Sequence, residues 1–354
     1  MNKNVGIQCG LGNQLNLSAL RYKNILEYNN INVHIIELQS GTFLNKLKNI
    51  DIYIFPYTHC DSEIQIADTL MPVVENIIGI DVFPNRESRW HYNDKIKGDI
   101  LLRQIDAPIV DTWVFWNIKE AFEWVEQVQY PIIFKLKGGA SSLNVVKIES
   151  KKEAIKVIKK VFSYSGIKNG KIPSLGNLHF LRDFTQLFGV RRRLAETRGK
   201  LGPEGAFPYW QTYRDQVIFQ YFIPDNAFDT RVTIIGNSAF SFRRFNRKDD
   251  YRASGSGNID YDVSKVDPRT IALAFEISNK LNFQSMAYDF LFDEHGEPRI
   301  VEISYTYSDV AVYNCPGYFD SAMEWHEGHV WPQLLILRDL LQEQSLQQPA
   351  DLSV

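Results

Sequence analysis

The segment 287–304, AYDFLFDEHGEPRIVEIS, predicts two strands joined by a turn at the sequence Gly-Glu-Pro. Asp289 lies on the first strand and Glu302 on the second, so pairing of the strands would bring the two carboxylates together. Acidic oxygens from neighbouring strands are hard ligands of the kind that Mg²⁺ takes while it bridges nucleotide phosphates. A hairpin with solvated acids gives the same pattern, so the rest of the chain has to decide between the two interpretations.

A glycine-containing segment far upstream supplies positive charge. Residues 130–148, YPIIFKLKGGASSLNVVKI, predict a strand that ends at Lys135, a flexible segment over 138–142 and a second strand. Glycine amides can approach phosphate oxygens closely, and the lysine adds a compact positive charge. The pattern GxxxxGK[ST] is absent, so the segment is not a P-loop. An ordinary structural hairpin is the alternative for this segment taken alone.

A third element lies between these two. Residues 217–223, VIFQYFI, predict a buried apolar strand that Pro224 ends, and residues 228–232, FDTRV, open the next strand. Three arginines follow in and beyond that region, namely Arg243, Arg244 and Arg252. The chain thus carries a lysine strand with a glycine loop, an apolar hinge, an Asp-x-Arg strand, an arginine-rich segment and an Asp…Glu hairpin, in that order.

In this order the motifs resemble those of the ATP-grasp superfamily of carboxylate–amine ligases, which includes D-alanine ligases and glutathione synthetase. The resemblance covers about residues 93–305. It implies an α/β and α+β fold with an N-terminal parallel α/β domain, a central lid and a mainly antiparallel C-terminal core. The alternation of strand and helix patterns near the N-terminus agrees with the first of these parts.

The same resemblance, together with the strand and helix patterns of the chain, predicts the domain boundaries. We expect an N-terminal α/β domain over 1–92, a connecting helical segment over 93–129 and a lid subdomain over 130–222. The lid carries an insertion over 161–213. The catalytic core would span 223–342, and a polar tail over 343–354 should be flexible.

The resemblance also implies roles for individual residues. Lys95 and Lys135 would hold the nucleotide phosphates, with Lys137 as the competitor of Lys135, and Asp289 and Glu302 would hold Mg²⁺. Asp229 would bind the ribose hydroxyls. The phosphate loop and the linker that reads the adenine would be formed by Gly138, Gly139, Ser141, Gln220, Tyr221, Phe222 and Ile223.

Two positions depart from the family pattern. Ser304 stands where the family usually has an Asn metal ligand, so a second Mg²⁺ would have a weaker oxygen ligand. Ala287 stands where some relatives have an arginine. The candidates to stabilise a developing oxyanion instead are Arg231, Arg244 and Arg252. The alternative for these arginines is an ordinary ion pair with Asp249 or Asp250.

Composition argues against membrane-spanning, nucleic-acid-binding and exported proteins. The chain has 354 residues, 44% of them hydrophobic, and no run of 18 apolar residues, which favours a soluble protein without a transmembrane segment. A net charge of −3 gives no electrostatic footprint for nucleic acid. Cys9, Cys60 and Cys315 are far apart, and the N-terminus lacks the apolar core of a signal peptide, so we expect a cytoplasmic protein. Many proteins of the family dimerise, but no interface is indicated.

The insertion carries a basic run, Arg191 to Arg193, which is either a solvated helix face or a binding edge for an anionic acceptor.

The chemistry implied by the family is transfer of the ATP γ-phosphoryl group to a carboxylate, followed by attack of an amine on the acyl phosphate. The segments ASGSG, CPGYFD and EWHEGHVWP resemble ligases that attach amino acids to sugar acids of bacterial surface polysaccharides. An amino-acid or peptide ligase of the dipeptide or glutathione type, and a nucleotide-binding regulatory protein without turnover, are the alternatives.

Overall fold

The computed structural model describes residues 3–9, 15–56, 61–139, 145–168, 211–248, 250–253 and 255–352. The N-terminal part is a parallel sheet of order β2-β1-β3-β4. Its strands are β1 (Asn4–Cys9), β2 (Asn32–Glu37), β3 (Ile52–Ile54) and β4 (Asp81–Phe83). Its helices are α1 (Leu17–Tyr28), α2 (Phe43–Lys46), α3 (Asp61–Val73) with a π-helical continuation (Val74–Ile78), and α4 (Arg86–Arg89).

The second sheet is antiparallel and has the order β5-β10-β6-β7. Its strands are β5 (Thr112–Phe115), β6 (Ile132–Lys135), β7 (Val145–Ile148) and β10 (Val217–Tyr221). Helices α6 (Ile118–Val125) and α7 (Lys151–Val161) share its core, where the rings of Trp124 and Phe219 stack 5.2 Å apart. Strands β8 (Ile167–Lys168) and β9 (Thr212–Tyr213) form an antiparallel pair on either side of the undescribed part of the insertion.

The segment 93–129 differs from the connecting helical segment that we expected. It contains helix α5 (Lys95–Arg103) and helix α6, but also strand β5, which pairs with β10 and so belongs to the second sheet. Strand β5 is short, and its partner lies about a hundred residues downstream, so no local pattern indicated the pairing.

The third sheet is antiparallel, with the order β15-β14-β11-β12-β16-β17, and β13 also pairs with β12. Its strands are β11 (Phe228–Ile235), β12 (Ser238–Phe245), β13 (Ile259–Asp260), β14 (Ser285–Phe292), β15 (Pro298–Ser304), β16 (Gly317–Asp320) and β17 (Trp325–Glu327). A 3₁₀ turn (Val263–Lys265) and helices α8 (Pro268–Lys280), α9 (Asp309–Tyr313) and α10 (Pro332–Leu341) complete this part.

Helix α10 joins the C-terminal part to the N-terminal sheet. It packs against α1 in an apolar cluster that also contains residues of β1 and β12. Beside this cluster, Arg21 of α1 donates to Asp309 of α9 at 2.6 Å, and its guanidinium lies 4.2 Å from the ring centre of Trp331. In the described part of the chain, no helix is both long and apolar enough to span a membrane.

The predicted hairpin of β14 and β15 is confirmed, and Asp289 lies directly opposite Glu302. A change of register between Asp289 and Phe290 makes Val301 the extra residue of a β-bulge on β15. On the other side, Asp289 pairs with Arg231 of β11, while Asp229 of β11 pairs with Arg244 of β12. The registers therefore bring these charged residues side by side on one sheet.

Candidate functional site

Two adjoining cavities, of about 220 Å³ and about 530 Å³, are lined by residues of the second and third sheets in the described part of the chain. They share several charged lining residues that come from both sheets and from α5. The cavities therefore form one cleft with a charged centre. The shared predicted residues are Lys95, Lys135, Gly139, Gln220, Asp289 and Glu302.

Lys135 is a buried lysine of this cleft. It ends β6, between Ile218 of β10 and Val145 of β7, and it is 6% exposed. Its Nζ reaches the bulged Val301 carbonyl only at 3.5 Å. Burial lowers the pKa of Lys135 to about 8, an effect that the neighbouring charge of Glu302 partly offsets. Such a poorly solvated ammonium has much to gain from an anionic ligand.

Lys95, the first residue of α5, connects the cleft to the glycine segment. Its Nζ donates to the Gly139 carbonyl at 2.8 Å and lies 3.4 Å from Glu302 Oε1. Its backbone N–H donates to the Lys137 carbonyl at 2.9 Å. Asp94 caps α5 by accepting from the N–H groups of Ile96 and Lys97, which fixes the start of the helix. Lys95 is thus held where the second and third sheets meet.

Lys137 and Gly138 are not found among the described residues that line the two cavities. Lys137 Nζ instead lies 2.9 Å from Asp94 Oδ2. Gly138 packs so closely on Tyr213 that a Cβ would lie 2.1 Å from the phenol oxygen. The geometry thus favours Lys135 over its competitor Lys137 as the lysine of the cleft.

Asn93 holds the described end of the glycine segment, and our sequence reasoning missed it. Its side-chain oxygen accepts from the Gly139 N–H at 2.9 Å, so this amide is not offered to a phosphate in the described geometry. Asn93 has a positive φ of 53°, a conformation that asparagine tolerates better than most residues. The sequence signal for this role was an asparagine directly before Asp94, the residue that caps the helix.

The smaller cavity is lined by the predicted linker. Tyr221, Phe222 and Ile223 face it, with Ile133, Val145 and Leu291 as further apolar lining. The Gln220 side chain is turned to Thr112, to which it donates at 3.0 Å. This end of the cleft can therefore hold a flat apolar group.

Tyr251 is a further lining residue of this cavity that sequence reasoning missed, and Lys147 contacts its residue Phe222. The ring of Tyr251 meets that of Phe222 edge-on at 5.8 Å, and burial raises the pKa of Tyr251 to about 12. Lys147 Nζ lies 4.4 Å from the centre of the Phe222 ring. Tyr251 directly precedes Arg252, so the arginine-rich segment held the signal.

The arginine candidates Arg231 and Arg244 are both paired with Asp289. Arg231 Nε and Nη2 donate to Asp289 Oδ1 and Oδ2 at 2.7 and 2.8 Å, and Arg244 Nη2 lies 2.8 Å from Oδ2. Burial alone would raise the pKa of Asp289, but the two guanidinium groups hold it well below its usual range. Arg244 also binds Asp229 through both carboxylate oxygens, at 2.7 and 2.6 Å.

Asp229 and Arg252 line the smaller cavity but already have charged partners. Burial and the nearby charge of Asp289 raise the pKa of Asp229, against the effect of Arg244. Arg252 donates to Asp250 Oδ2 at 2.6 Å, which is the ion pair considered as its alternative role. A ribose at Asp229 would have to share the carboxylate with Arg244.

The proposed metal ligands are arranged unequally. Glu302 has a side chain that is 43% exposed, whereas Asp289 is buried among arginine donors. The Ser304 hydroxyl donates to the Thr306 carbonyl at 3.0 Å and accepts from the Thr306 N–H at 3.2 Å, so it caps a turn. No group of three or more His, Cys, Asp or Glu side chains is arranged for a metal ion among the described residues.

Some predicted residues lie outside the described part of the chain. These are Ser141 of the glycine segment, Asp249, Cys60, and the basic run Arg191, Arg192 and Arg193 of the insertion.

No family model and no curated protein sequence matches the chain. Solved structures do match its fold, at low sequence identity. A RimK domain protein ATP-grasp from Sphaerobacter thermophilus is 13% identical, with 87% of this chain and 93% of that chain covered and a TM-score of 0.52. D-alanine–D-alanine ligase from Bacillus anthracis, complexed with ATP, is 14% identical, with 86% of both chains covered and a TM-score of 0.54.

D-cycloserine synthetase has a TM-score of 0.56 and 12% identity, and the match covers 95% of this chain and 99% of that one. At these identities the likeness concerns the fold. It confirms the predicted mixture of a parallel α/β part and antiparallel sheets. The chain has the ATP-grasp fold.

Proposed function

We propose that this protein is an ATP-dependent ligase that joins a carboxylate to an amine and releases ADP and phosphate. The observation that carries the proposal is the buried ammonium of Lys135 at the centre of the cleft, next to Lys95 and Glu302. Lysines deprived of water gain from a phosphate partner because the phosphate restores the lost charge stabilisation. The likeness in fold to a D-alanine–D-alanine ligase and to a D-cycloserine synthetase supports ligation in general terms.

The cleft fits ATP. Phe222, Ile223 and Leu291 give the smaller cavity an apolar lining suited to adenine, and the linker backbone lies beside it. Lys135 and Lys95 stand where that cavity meets the larger one, which is where phosphates would extend. Among proteins of this fold, the Bacillus anthracis ligase was crystallised with ATP.

Mg²⁺ fits the site in part. A biotin carboxylase domain of this fold, from Hydrogenobacter thermophilus, was crystallised with MgADP. Glu302 offers an accessible carboxylate and would hold the ion, whereas Asp289 could join only by giving up arginine donors. When bound, Mg²⁺ would offset the negative charge of the phosphates.

The residues of the chain suggest the following division of work. Lys135 and Lys95 would hold the ATP phosphates while a carboxylate oxygen attacks the γ-phosphorus and ADP leaves. An amine would then attack the acyl carbon, lose a proton and expel phosphate, which leaves an amide. Arg231 and Arg244 line the larger cavity and would offset the charge of the anionic substrate.

For the substrates, we propose an amino acid as amine donor and a sugar acid of a surface polysaccharide as carboxylate. This choice is supported by the resemblance of the segments ASGSG, CPGYFD and EWHEGHVWP. The larger cavity, of about 530 Å³, offers room for such a substrate. A dipeptide or glutathione type of ligase is the other substrate class.

A second candidate function is nucleotide binding without turnover, in a regulatory role. The pairing of Asp289 with two arginines favours it, because a two-carboxylate metal site is blocked in this arrangement. Ser304 and Ala287, at the positions that depart from the family pattern, point the same way.

The experiment that separates these functions is simultaneous detection of ADP and phosphate with Mg-ATP. Amino acids are crossed with uronic acids, nucleotide-linked sugar acids and small peptides. A ligase releases both products only when carboxylate and amine are present together. ADP without free phosphate would indicate a kinase, and tight ATP binding without release in any mixture would support the regulatory function.

A further inference from the structure

Asp289 is too heavily engaged by arginine to bind a divalent cation in the described geometry. Both of its oxygens accept guanidinium N–H groups at 2.7 to 2.8 Å. A carboxylate has about four lone-pair sites, and Mg²⁺ demands near-octahedral ligands at about 2.0–2.1 Å. Two neighbouring guanidinium charges would also repel the ion. A cation can therefore use Asp289 only after at least one arginine has turned away.

Arg231 is the arginine that can leave. Its side chain is 17% exposed and lines the larger cavity, and its ion-pair partner among the described residues is Asp289. Arg244 is 8% exposed and keeps Asp229 as a second partner, through both carboxylate oxygens. Loss of Asp289 would thus leave Arg244 paired but Arg231 without an anion.

We propose that an oxyanion in the larger cavity takes Arg231 from Asp289, so that this anion and a divalent cation bind the cleft cooperatively. Each ligand compensates the charge that the other exposes, since a buried carboxylate or guanidinium left without a partner is unfavourable. Arginine binds carboxylate and phosphate oxygens in the same bidentate manner. The anion, whose identity rests on the proposed function, is the substrate carboxylate or a phosphoryl oxygen.

Thermodynamic linkage makes the proposal measurable without turnover. If the anion strengthens cation binding by some factor, the cation strengthens anion binding by the same factor. The probe is Mn²⁺, titrated against the full-length protein without nucleotide, with free Mn²⁺ followed by its EPR signal. Acetate or inorganic phosphate replaces chloride at constant ionic strength, and titrations without protein correct for chelation by phosphate.

We expect acetate or phosphate to tighten Mn²⁺ binding by about five-fold or more, the lower end of typical coupling between ligands. An effect of acetate alone identifies the anion as a carboxylate, and an effect of phosphate alone identifies a phosphoryl group. If neither anion tightens Mn²⁺ binding, the proposal is wrong, and Asp289 only positions the arginines.

Variants then locate the coupling. Arg231→Met should bind Mn²⁺ more tightly than the wild type in chloride and should lose the effect of the anion. Arg269→Met is the matched control, because Arg269 pairs with Asp267 and Glu297 at the surface, and it should keep the full effect. An anion effect that survives in Arg231→Met would overturn the role given to Arg231.

The test is separate from that of the proposed function. If ADP and phosphate are released only with the acceptor but the anions do not affect Mn²⁺ binding, this inference is wrong and the proposed ligase function stands. Coupled Mn²⁺ binding in a protein that shows no such release would support the inference and contradict the ligase.

Discussion

Lys95 and Glu302 form an ion pair across the cleft, with 3.4 Å between Nζ and Oε1. The lysine begins helix α5 and the glutamate lies on strand β15 of the third sheet, so the pair joins separate parts of the fold. The lysine side chain is 11% exposed and the carboxylate 43%. A nucleotide phosphate bound near Lys95 would be repelled by this carboxylate, and a divalent cation would offset that repulsion.

Glu302→Gln should abolish the benefit of metal for nucleotide binding. The amide keeps the shape of the side chain but removes the charge that attracts Mg²⁺ and repels phosphate. We expect ADP to bind the variant in EDTA at least as tightly as it binds the wild type, with little further gain from MgCl₂. Calorimetric titration in both buffers measures this. A gain from MgCl₂ equal to that of the wild type would contradict the role of Glu302.

Lys135→Met should weaken ADP binding about 10- to 150-fold, the effect of losing a charge-assisted hydrogen bond worth about 1.5–3 kcal/mol. The variant should fold, because methionine fills a similar volume without the cost of burying an ammonium. Lys137→Met is the matched control, since Lys137 pairs with Asp94, and it should stay within about two-fold of the wild type. Equal losses in the two variants would contradict the choice of Lys135.

The pH dependence of ADP binding should also report Lys135. Burial lowers its pKa in the folded protein from 10.5 to about 8, and a bound phosphate favours the protonated form. ADP affinity should therefore fall as pH rises through about 8, and binding at about pH 9 should take up a proton. Calorimetry in buffers of different ionisation enthalpy detects that uptake. Persistent uptake in Lys135→Met would assign it to another group.

The same lysine affects stability with a definite sign. Between about pH 8 and 10.5 the unfolded chain binds the proton that the folded lysine has lost, so the contribution of Lys135 to the free energy of unfolding rises with pH in this window. Below about pH 8 the cost of burying the charge is present in full.

Phe222→Ala should weaken ADP binding through loss of contact with the base. Stacking of a base on an aromatic ring is worth about 1–3 kcal/mol, so the loss should be about 5- to 150-fold. Trp116→Ala serves as the control, because Trp116 is 59% exposed and is not among the described residues that line the cleft. If the Phe222 variant binds ADP as the wild type does, the adenine does not lie at the linker.

Local sequence patterns were sufficient for the hairpin that carries Asp289 and Glu302. Apolar residues on both sides of a Gly-Glu-Pro turn indicate both strands, and pairing across one turn determines the register. The bulge at Val301 could not be predicted, because bulges depend on the wider sheet.

The ion pairs that could not be predicted from the sequence depend on the register between strands that are far apart along the chain. Arg231 and Asp289 are 58 residues apart along the chain, so their bidentate pair follows from the alignment of β11 with β14. The choice between Lys135 and Lys137 depends in the same way on where β6 ends and on Asp94, which comes from a separate segment. Fold class was predictable from the resemblance of the ordered motifs to a known family, whereas the partners of each charge were not.

The most direct test of the ligase is transfer of ¹⁸O from the substrate carboxylate to the released phosphate, with the substrate pair that the product screen selects. Activation as an acyl phosphate requires one carboxylate oxygen to leave with the phosphate. We therefore predict one ¹⁸O atom per phosphate, detected by mass or by the isotope shift of the phosphorus resonance. Release of ADP with unlabelled phosphate would contradict the account, because it would mean that ATP is hydrolysed by water rather than attacked by the carboxylate.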